Sequence, residues 1–215
     1  MTELASTQDI YGDHRPAMEA VLDRLVSRVV SLRASMKQEM GLDPIEHILS
    51  RFKSDASMRD KLDRKGLPQT TEAAITQVYD ALGVRIVCGF LNDVYVIRDH
   101  LIADPEFEVV EEKDYIRHAK PNGYRSFHMI MRSSRGYYAE VQLRTISMDT
   151  WAALEHHLQY KGPHTGNQRL IVQELKRCAD ELASTDVSMQ TLRDAIMGEG
   201  PALRAHVPDD YVSRD

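Results

Sequence analysis

The chain has 215 residues, of which 42% are hydrophobic and 28% are charged, and its formal net charge is −6. This composition is typical of a globular protein with one substantial core, so we expect a single cytoplasmic domain over residues 1–215, without a signal peptide or membrane span. The acidic balance disfavours a general nucleic-acid binder, which usually carries a basic excess.

Helical patterns occupy the first third of the chain. Apolar residues recur every three to four positions from 15 to 40 and predict a long helix there. Asp43-Pro44 ends this helix and favours a short helical piece over 45–49. A basic helix is predicted over 53–65, and Thr70 or Thr71 would cap a further short helix.

The pattern then changes to strands. Alternating or apolar runs predict four of them, at about 83–90, 107–116, 125–132 and 136–144. A helix near 92–102 joins the first two, and residues 133–136 form a hairpin turn between the last two. Helices at 146–160 and 168–197, separated by a loop at 162–166, complete the chain. The order predicts an α+β fold, with a small mixed sheet flanked by helices and long helices at both termini.

The basic helix carries a polar stripe. Lys53, Ser57, Lys61 and Arg64 recur at helical spacing, and such a stripe can hold a polyphosphate by charge-assisted hydrogen bonds. Local positive charge in an acidic protein suits a nucleotide better than a long polyanion. The alternative is a solvated surface stripe, in which Asp60 pairs with Arg64.

Two carboxylates mark the strands. Asp80 precedes an apolar strand, while Glu140 shares one face of the alternating run 138–144 with Gln142 and Arg144. If the two carboxylates meet, Mg²⁺ is their natural ligand, because it takes one or two carboxylates and completes its shell with phosphate oxygens. Each acid also has a structural alternative, as a helix-terminal residue or as an exposed strand residue.

Other polar residues interrupt structured segments. Arg85 lies within the apolar run 84–87, where it either forms a salt bridge or faces a ligand. The segment 120–126 is a simple turn, or a loop that presents Tyr124 for stacking and Lys120 and Arg125 to phosphates. The adjacent His156 and His157 point about 100° apart on a helix and do not predict a metal site.

Five ordered segments together resemble the synthetase domain of the RelA/SpoT family, especially its short members, the small alarmone synthetases. They are 51–61, 79–86, 120–128, 140–145 and 151–156, within a similarity over about 44–161. The resemblance implies a sheet of the nucleotidyltransferase type. It also implies transfer of the β,γ-pyrophosphate of ATP to the 3′-hydroxyl of GDP or GTP, giving AMP and ppGpp or pppGpp.

By motif position, the resemblance implies three groups of site residues. The ATP-binding group is Arg51, Lys53, Ser57, Lys61, Arg64 and Arg85, with the first and last on either side of adenine. The group that binds GDP or GTP is Lys120, Tyr124, Arg125, His128, Gln142, Arg144 and Asp149, with the tyrosine stacked on guanine. Asp80 and Glu140 would be the catalytic pair and the Mg²⁺ ligands, with Glu140 drawing the proton from the hydroxyl.

The resemblance also carries expectations about assembly and range of activity. Short relatives are commonly homotetramers, so helices 15–40 and 168–197 are expected to mediate oligomerisation, and regulation by (p)ppGpp or single-stranded RNA is possible. Too few residues precede Arg51 for the hydrolase domain of the long relatives, so synthesis without hydrolysis is expected. Asp149 stands where short relatives often have asparagine. Two alternatives stay open: a toxin-like enzyme acting on adenine nucleotides or the tRNA 3′ end, and a non-catalytic nucleotide or RNA sensor.

Overall fold

A computed structural model describes residues 9–160 and 168–198 of the chain, where five strands and six α-helices form the predicted α+β fold. The elements are α1 (Arg15–Met40), β1 (Ile45–Phe52), α2 (Asp55–Lys65), α3 (Thr71–Thr76), β2 (Leu82–Cys88), α4 (Leu91–Ile102), β3 (Phe107–Asp114), β4 (Phe127–Ser133), β5 (Tyr138–Thr145), α5 (Ile146–Tyr160) and α6 (Gln168–Met197). The loop predicted at 162–166 lies outside the described residues.

The five strands form one mixed sheet in the order β1-β2-β5-β4-β3. β2 and β5 are parallel, and the other neighbouring pairs are antiparallel. A parallel pair needs a long crossover connection, which α4, β3 and β4 supply here. The predicted turn closes the β4–β5 hairpin, where Gly136 has a φ of 84° and donates its amide to the Ser133 carbonyl at 2.8 Å.

The two faces of the sheet have different surroundings. Alternate residues of β2 and β5, such as Val84 and Val141, join a buried apolar cluster with residues of α1 and α4. Strand alternation therefore turns the intervening residues to the opposite face, which carries Gly83, Arg85 and Glu140. The fold thus presents the polar residues of the central strands together on one side.

The two longest helices have the bounds that apolar spacing predicts. α1 buries Leu25 and Val29 and ends at Gly41, whose φ of 71° suits the left-handed position after a helix. α6 buries Ala179 and Ala183 on the face toward the domain. Within residues 9–160 and 168–198, no helix is both long and apolar enough to cross a membrane.

The helical piece predicted at 45–49 is wrong, because these residues belong to strand β1. Helix α1 ends at Gly41, three residues before Pro44. The Pro44 carbonyl accepts the Gly89 amide at 3.2 Å, and the chain continues antiparallel to β2. A bulge between Ile45 and His47 breaks the two-residue alternation that would have indicated a strand.

The basic helix begins two residues later than its charge pattern predicts. Ser54 is the N-cap of α2 and accepts the Ser57 amide at 3.3 Å. Lys53 therefore precedes the helix and does not belong to its stripe. Its backbone amide instead donates to the Ala81 carbonyl at 2.8 Å, and its carbonyl accepts the buried Tyr11 hydroxyl at 2.8 Å. Both backbone groups of this lysine are thus fixed by residues distant in sequence.

Candidate active site

An open cleft of about 320 Å³ lies on the polar face of the sheet, across strands β1, β2 and β5. It is lined by Leu49, Ser50, Arg51, Gly83, Val84, Arg85, Glu140 and Gln142. Gly83 pairs with Arg51 on one side and with Glu140 on the other. A Cβ at this glycine would lie 3.2 Å from Arg51 Cγ, so a larger residue would crowd the arginine.

Asp80 lies just before β2 and is held by two lysines, one preceding α2 and one within it. Its Oδ2 is 2.6 Å from Lys61 Nζ and 3.3 Å from Lys53 Nζ. Burial acts to raise the pKa of Asp80, but the hydrogen bonds and charges of these lysines outweigh it, and the pKa is lowered. Asp80 is therefore ionised at neutral pH.

The other oxygen of Asp80 is suited to a metal ion. Asp80 Oδ1 is buried and has no hydrogen-bond partner among the described residues. No group of three or more His, Cys, Asp or Glu side chains in the described ranges forms a complete metal cage. Asp80 therefore offers one free carboxylate oxygen, with few other protein ligands nearby. This suits Mg²⁺, which commonly completes its shell with water and substrate phosphates.

Glu140 is the second carboxylate on this face. Its Oε2 accepts Gln142 Nε2 at 2.8 Å, and its Oε1 lies 3.3 Å from His128 Nδ1. Burial acts to raise the pKa of Glu140, but the hydrogen bonds and charge of His128, the Gln142 hydrogen bond and the Arg51 charge together lower it to about 2. The side chain is therefore a carboxylate throughout the physiological range.

A connected polar cluster extends from Glu140 toward the 120–126 segment. The Tyr124 hydroxyl is 2.8 Å from His128 Nε2 and accepts Arg144 Nη2 at 2.7 Å. Arg144 also donates to Gln142 Oε1 at 3.2 Å. Lys120 Nζ lies 4.9 Å from the centre of the Tyr124 ring. Residues predicted separately on three segments thus meet around one tyrosine.

Asp149 connects this cluster to the cleft. Its Oδ1 accepts Arg144 Nη1 at 3.0 Å and Arg85 Nη1 at 3.2 Å, and its Oδ2 lies 3.8 Å from His47 Nε2. Arg85 thus forms the salt bridge that was one alternative for it. It also lines the cleft, which is where the other alternative, contact with a ligand, would place it. Its buried Nε has no hydrogen-bond partner among the described residues.

Three predicted site residues lie apart from these contacts. Ser57 is exposed and accepts the Ser54 hydroxyl at 2.9 Å. Arg64 is exposed and donates to the backbone carbonyl of Asp60 in its own helix at 3.3 Å, not to the Asp60 carboxylate. Arg125 is buried, and its Nη2 donates to Asp180 of α6 at 3.1 Å.

The sequence patterns did not indicate two residues near the polar cluster around Tyr124. Lys113 pairs with His128 across the β3–β4 ladder. Its hydrogen bond to Glu111 is the main cause that raises its pKa, and the charge of Glu140 makes a smaller contribution. The ring of Tyr115 lies 5.2 Å from that of His128. The strand pairing that brings these residues to the site is not visible in any local pattern.

We predict that Glu140 stabilises the fold above pH 4.5 and that this contribution is lost as the pH falls toward 2, because its pKa is lowered from 4.5 in the unfolded chain. Between about pH 6 and pH 3, wild type should lose about 2 kcal/mol more unfolding free energy than Glu140→Gln. Urea unfolding at both pH values measures the difference. Equal losses would show that the carboxylate has an ordinary pKa.

The chain is similar to known proteins over most of its length. The family model described as "Region found in RelA / SpoT proteins" matches residues 50–165. The GTP pyrophosphokinase YwaC of Bacillus subtilis is 34% identical over 91% of this chain and 96% of its own length. The GTP pyrophosphokinase YjbM of the same organism is 31% identical over 84% and 87%.

Solved structures show the same fold. Small alarmone synthetase 1 of Bacillus subtilis bound to its product pppGpp aligns with a TM-score of 0.72 and 30% identity, covering 84% of this chain and 94% of that one. Small alarmone synthetase 2 of Bacillus subtilis aligns with a TM-score of 0.69 and 34% identity, covering 85% and 100%. The chain therefore belongs to the RelA/SpoT synthetase family and has the fold of the small alarmone synthetases.

Proposed function

We propose that this protein is a GTP pyrophosphokinase that transfers the β,γ-pyrophosphate of ATP to the 3′-hydroxyl of GDP or GTP. The products are AMP and ppGpp or pppGpp. One arrangement carries the proposal: two ionised carboxylates, Asp80 just before β2 and Glu140 on the parallel strand β5, have an arginine-lined cleft on one side and the Tyr124 cluster on the other. Relatives of this chain have been solved with pppGpp and with the ATP analogue AMPCPP.

The donor nucleotide is assigned to the cleft. Arg51 and Arg85 lie on neighbouring strands and both line it, so their planar guanidinium groups can stack on the two faces of adenine. Lys53 and Lys61, which the structure directs at Asp80, are within reach of phosphates placed beside that carboxylate. Ser57 and Arg64 lie on the same helix and remain proposed contributors to phosphate binding.

The acceptor nucleotide is assigned to the cluster around Tyr124. The ring of this tyrosine offers a stacking surface for guanine, and Lys120 lies close to it. A hydrogen-bonded path leads from the Tyr124 hydroxyl to Glu140 through His128, Gln142 and Arg144. We propose that the ribose of the acceptor lies along this path.

The proposed metal ligands are Asp80, through its free Oδ1, and Glu140. When bound, Mg²⁺ neutralises negative charge that develops on the phosphate oxygens during transfer. The two lysines beside Asp80 act in the same direction. Alignment of donor and acceptor also lowers the activation free energy, by on the order of 7–11 kcal/mol in well-oriented systems.

Glu140 is proposed to orient the 3′-hydroxyl and to accept its proton. A carboxylate with a pKa of about 2 is a weak base toward a free hydroxyl. The hydroxyl becomes much more acidic as its oxygen bonds to phosphorus, so the proton moves to Glu140 late in the reaction. The hydrogen bonds from His128 and Gln142 hold the carboxylate in place for this step.

An acceptor assay tests the proposal directly. Protein, Mg²⁺ and γ-labelled ATP are incubated with GDP, GTP, ADP, ATP or deacylated tRNA, and labelled products are separated. We expect label on GDP or GTP. Label on tRNA or adenine nucleotides alone would establish the toxin-like alternative, and nucleotide binding without any transfer would establish the sensor.

Glu140→Gln is expected to lower turnover by roughly 100-fold or more while leaving the Kd for ATP nearly unchanged, because the amide cannot accept the proton. Turnover is measured with saturating substrates, and ATP binding by calorimetry. Glu108→Gln, at an exposed position of β3, is the matched control and should keep full activity. Normal turnover of Glu140→Gln would remove this residue from the catalytic assignment.

A further inference from the structure

The 120–126 segment, called here the acceptor loop, lies directly against helix α6. Gly123 is buried at a φ of 93°, and a Cβ there would lie 2.6 Å from the Cβ of Ala179 and 3.0 Å from the Cα of Lys176. Real Cβ atoms do not approach so closely, so the glycine is what permits this contact. The backbone of the loop thus follows the surface of α6.

Arg125 connects the acceptor loop to Asp180 of α6. It is 8% exposed, its Nη2 donates to Asp180 Oδ1 at 3.1 Å, and its Nη1 donates to the Gly123 carbonyl at 3.3 Å. Its neighbour Tyr124 makes its hydroxyl contacts with His128 and Arg144 in the acceptor-side cluster. The two adjacent side chains therefore point to different places: Arg125 contacts α6, and Tyr124 belongs to the polar cluster of the site.

α6 is itself firmly attached to the domain. The Leu175 carbonyl accepts Trp151 Nε1 at 2.9 Å, Asp186 accepts the buried Thr145 hydroxyl at 2.7 Å, and Arg193 donates to the buried Asp93 at 2.6 Å. These contacts reach α5, β5 and α4. Because the attachments continue along the helix, α6 can serve as a fixed support for the loop.

We propose that Arg125 is a positioning residue, and that its pair with Asp180 sets the place of the Tyr124 ring for the acceptor nucleotide. This rests on the proposed function, and it differs from the role that family resemblance gives Arg125, which is direct contact with the acceptor. Loosening the pair should weaken acceptor binding and leave ATP binding unaffected, since the donor cleft is built from β1, β2 and β5.

Asp180→Asn tests the proposal, because the amide keeps the shape of the side chain and removes its charge. The KM for GDP or GTP should rise by roughly tenfold, the order expected for a lost charge-assisted hydrogen bond, while the KM for ATP stays unchanged. Glu181→Gln is the matched control: it removes one negative charge from the adjacent, exposed residue of α6 and should change neither KM.

Arg125→Lys separates positioning from direct contact. In the positioning account, it raises the acceptor KM, and combining it with Asp180→Asn adds little, since both changes weaken the Arg125–Asp180 pair. Asp180→Asn also removes the more exposed ion pair of Asp180 Oδ2 with Lys176 Nζ at 2.6 Å, which Arg125→Lys leaves intact. In the direct-contact account, Asp180→Asn leaves the acceptor KM unchanged and Arg125→Lys alone raises it. An unchanged acceptor KM in Asp180→Asn, or an equal rise in both KM values, would overturn the proposal.

Trp151 provides a readout that does not depend on catalysis. It is the single tryptophan of the chain, its Nε1 is bonded to α6, and its ring centre lies 6.4 Å from that of Tyr124. Asp180→Asn should shift its emission, and Glu181→Gln should not. If wild type transfers no label to any nucleotide, the proposed function fails, while an unshifted emission of Asp180→Asn would independently refute the positioning role.

Discussion

The parallel pairing of β2 with β5 is the constraint on which the site depends. Parallel strands begin at the same edge of a sheet, so Asp80, which precedes β2, and Glu140, near the start of β5, come from the same end. The register places Glu140 opposite Gly83, where no side chain separates it from Arg51 of the next strand. A slip of one residue would turn Glu140 into the apolar core, and burial of Val141 and Ala139 opposes that slip.

Positive groups and hydrogen-bond donors keep both carboxylates ionised despite their burial. Lys53 and Lys61 do so for Asp80, and His128, Gln142 and Arg51 do so for Glu140. The same groups suit two polyanionic substrates, because phosphates entering the site meet charges that are already directed toward its centre. Fixed charges of this kind need little reorganisation during transfer, which is the main way proteins assist phosphoryl chemistry.

Sequence patterns predicted the parts of this arrangement that are local. Alternation in β5 placed Glu140, Gln142 and Arg144 on one face, and the structure joins these three by hydrogen bonds. Helical spacing predicted α1 and α6. Strand β1 was missed because its bulge disturbs the alternation, and Lys113 was missed because only the β3–β4 register places it beside His128.

The position of Arg125 shows a different limit of sequence patterns. Its motif suggests contact with phosphates, yet its partner Asp180 lies on α6, a helix distant in sequence that begins at Gln168. A loop motif indicates which residues lie close together. The direction in which each side chain points depends on which element packs against the loop. Here that element is α6, whose Ala179 lies close to Gly123.

Asp80 and Glu140 are proposed to hold one divalent ion between donor and acceptor. A crystal structure with AMPCPP, GDP and Mn²⁺ in place of Mg²⁺ tests this proposal through the anomalous signal of manganese. We expect one peak bound to Asp80 Oδ1 and close to Glu140, with adenine between Arg51 and Arg85 and guanine on Tyr124. A metal bound away from Asp80, or a triphosphate outside the cleft, would contradict it.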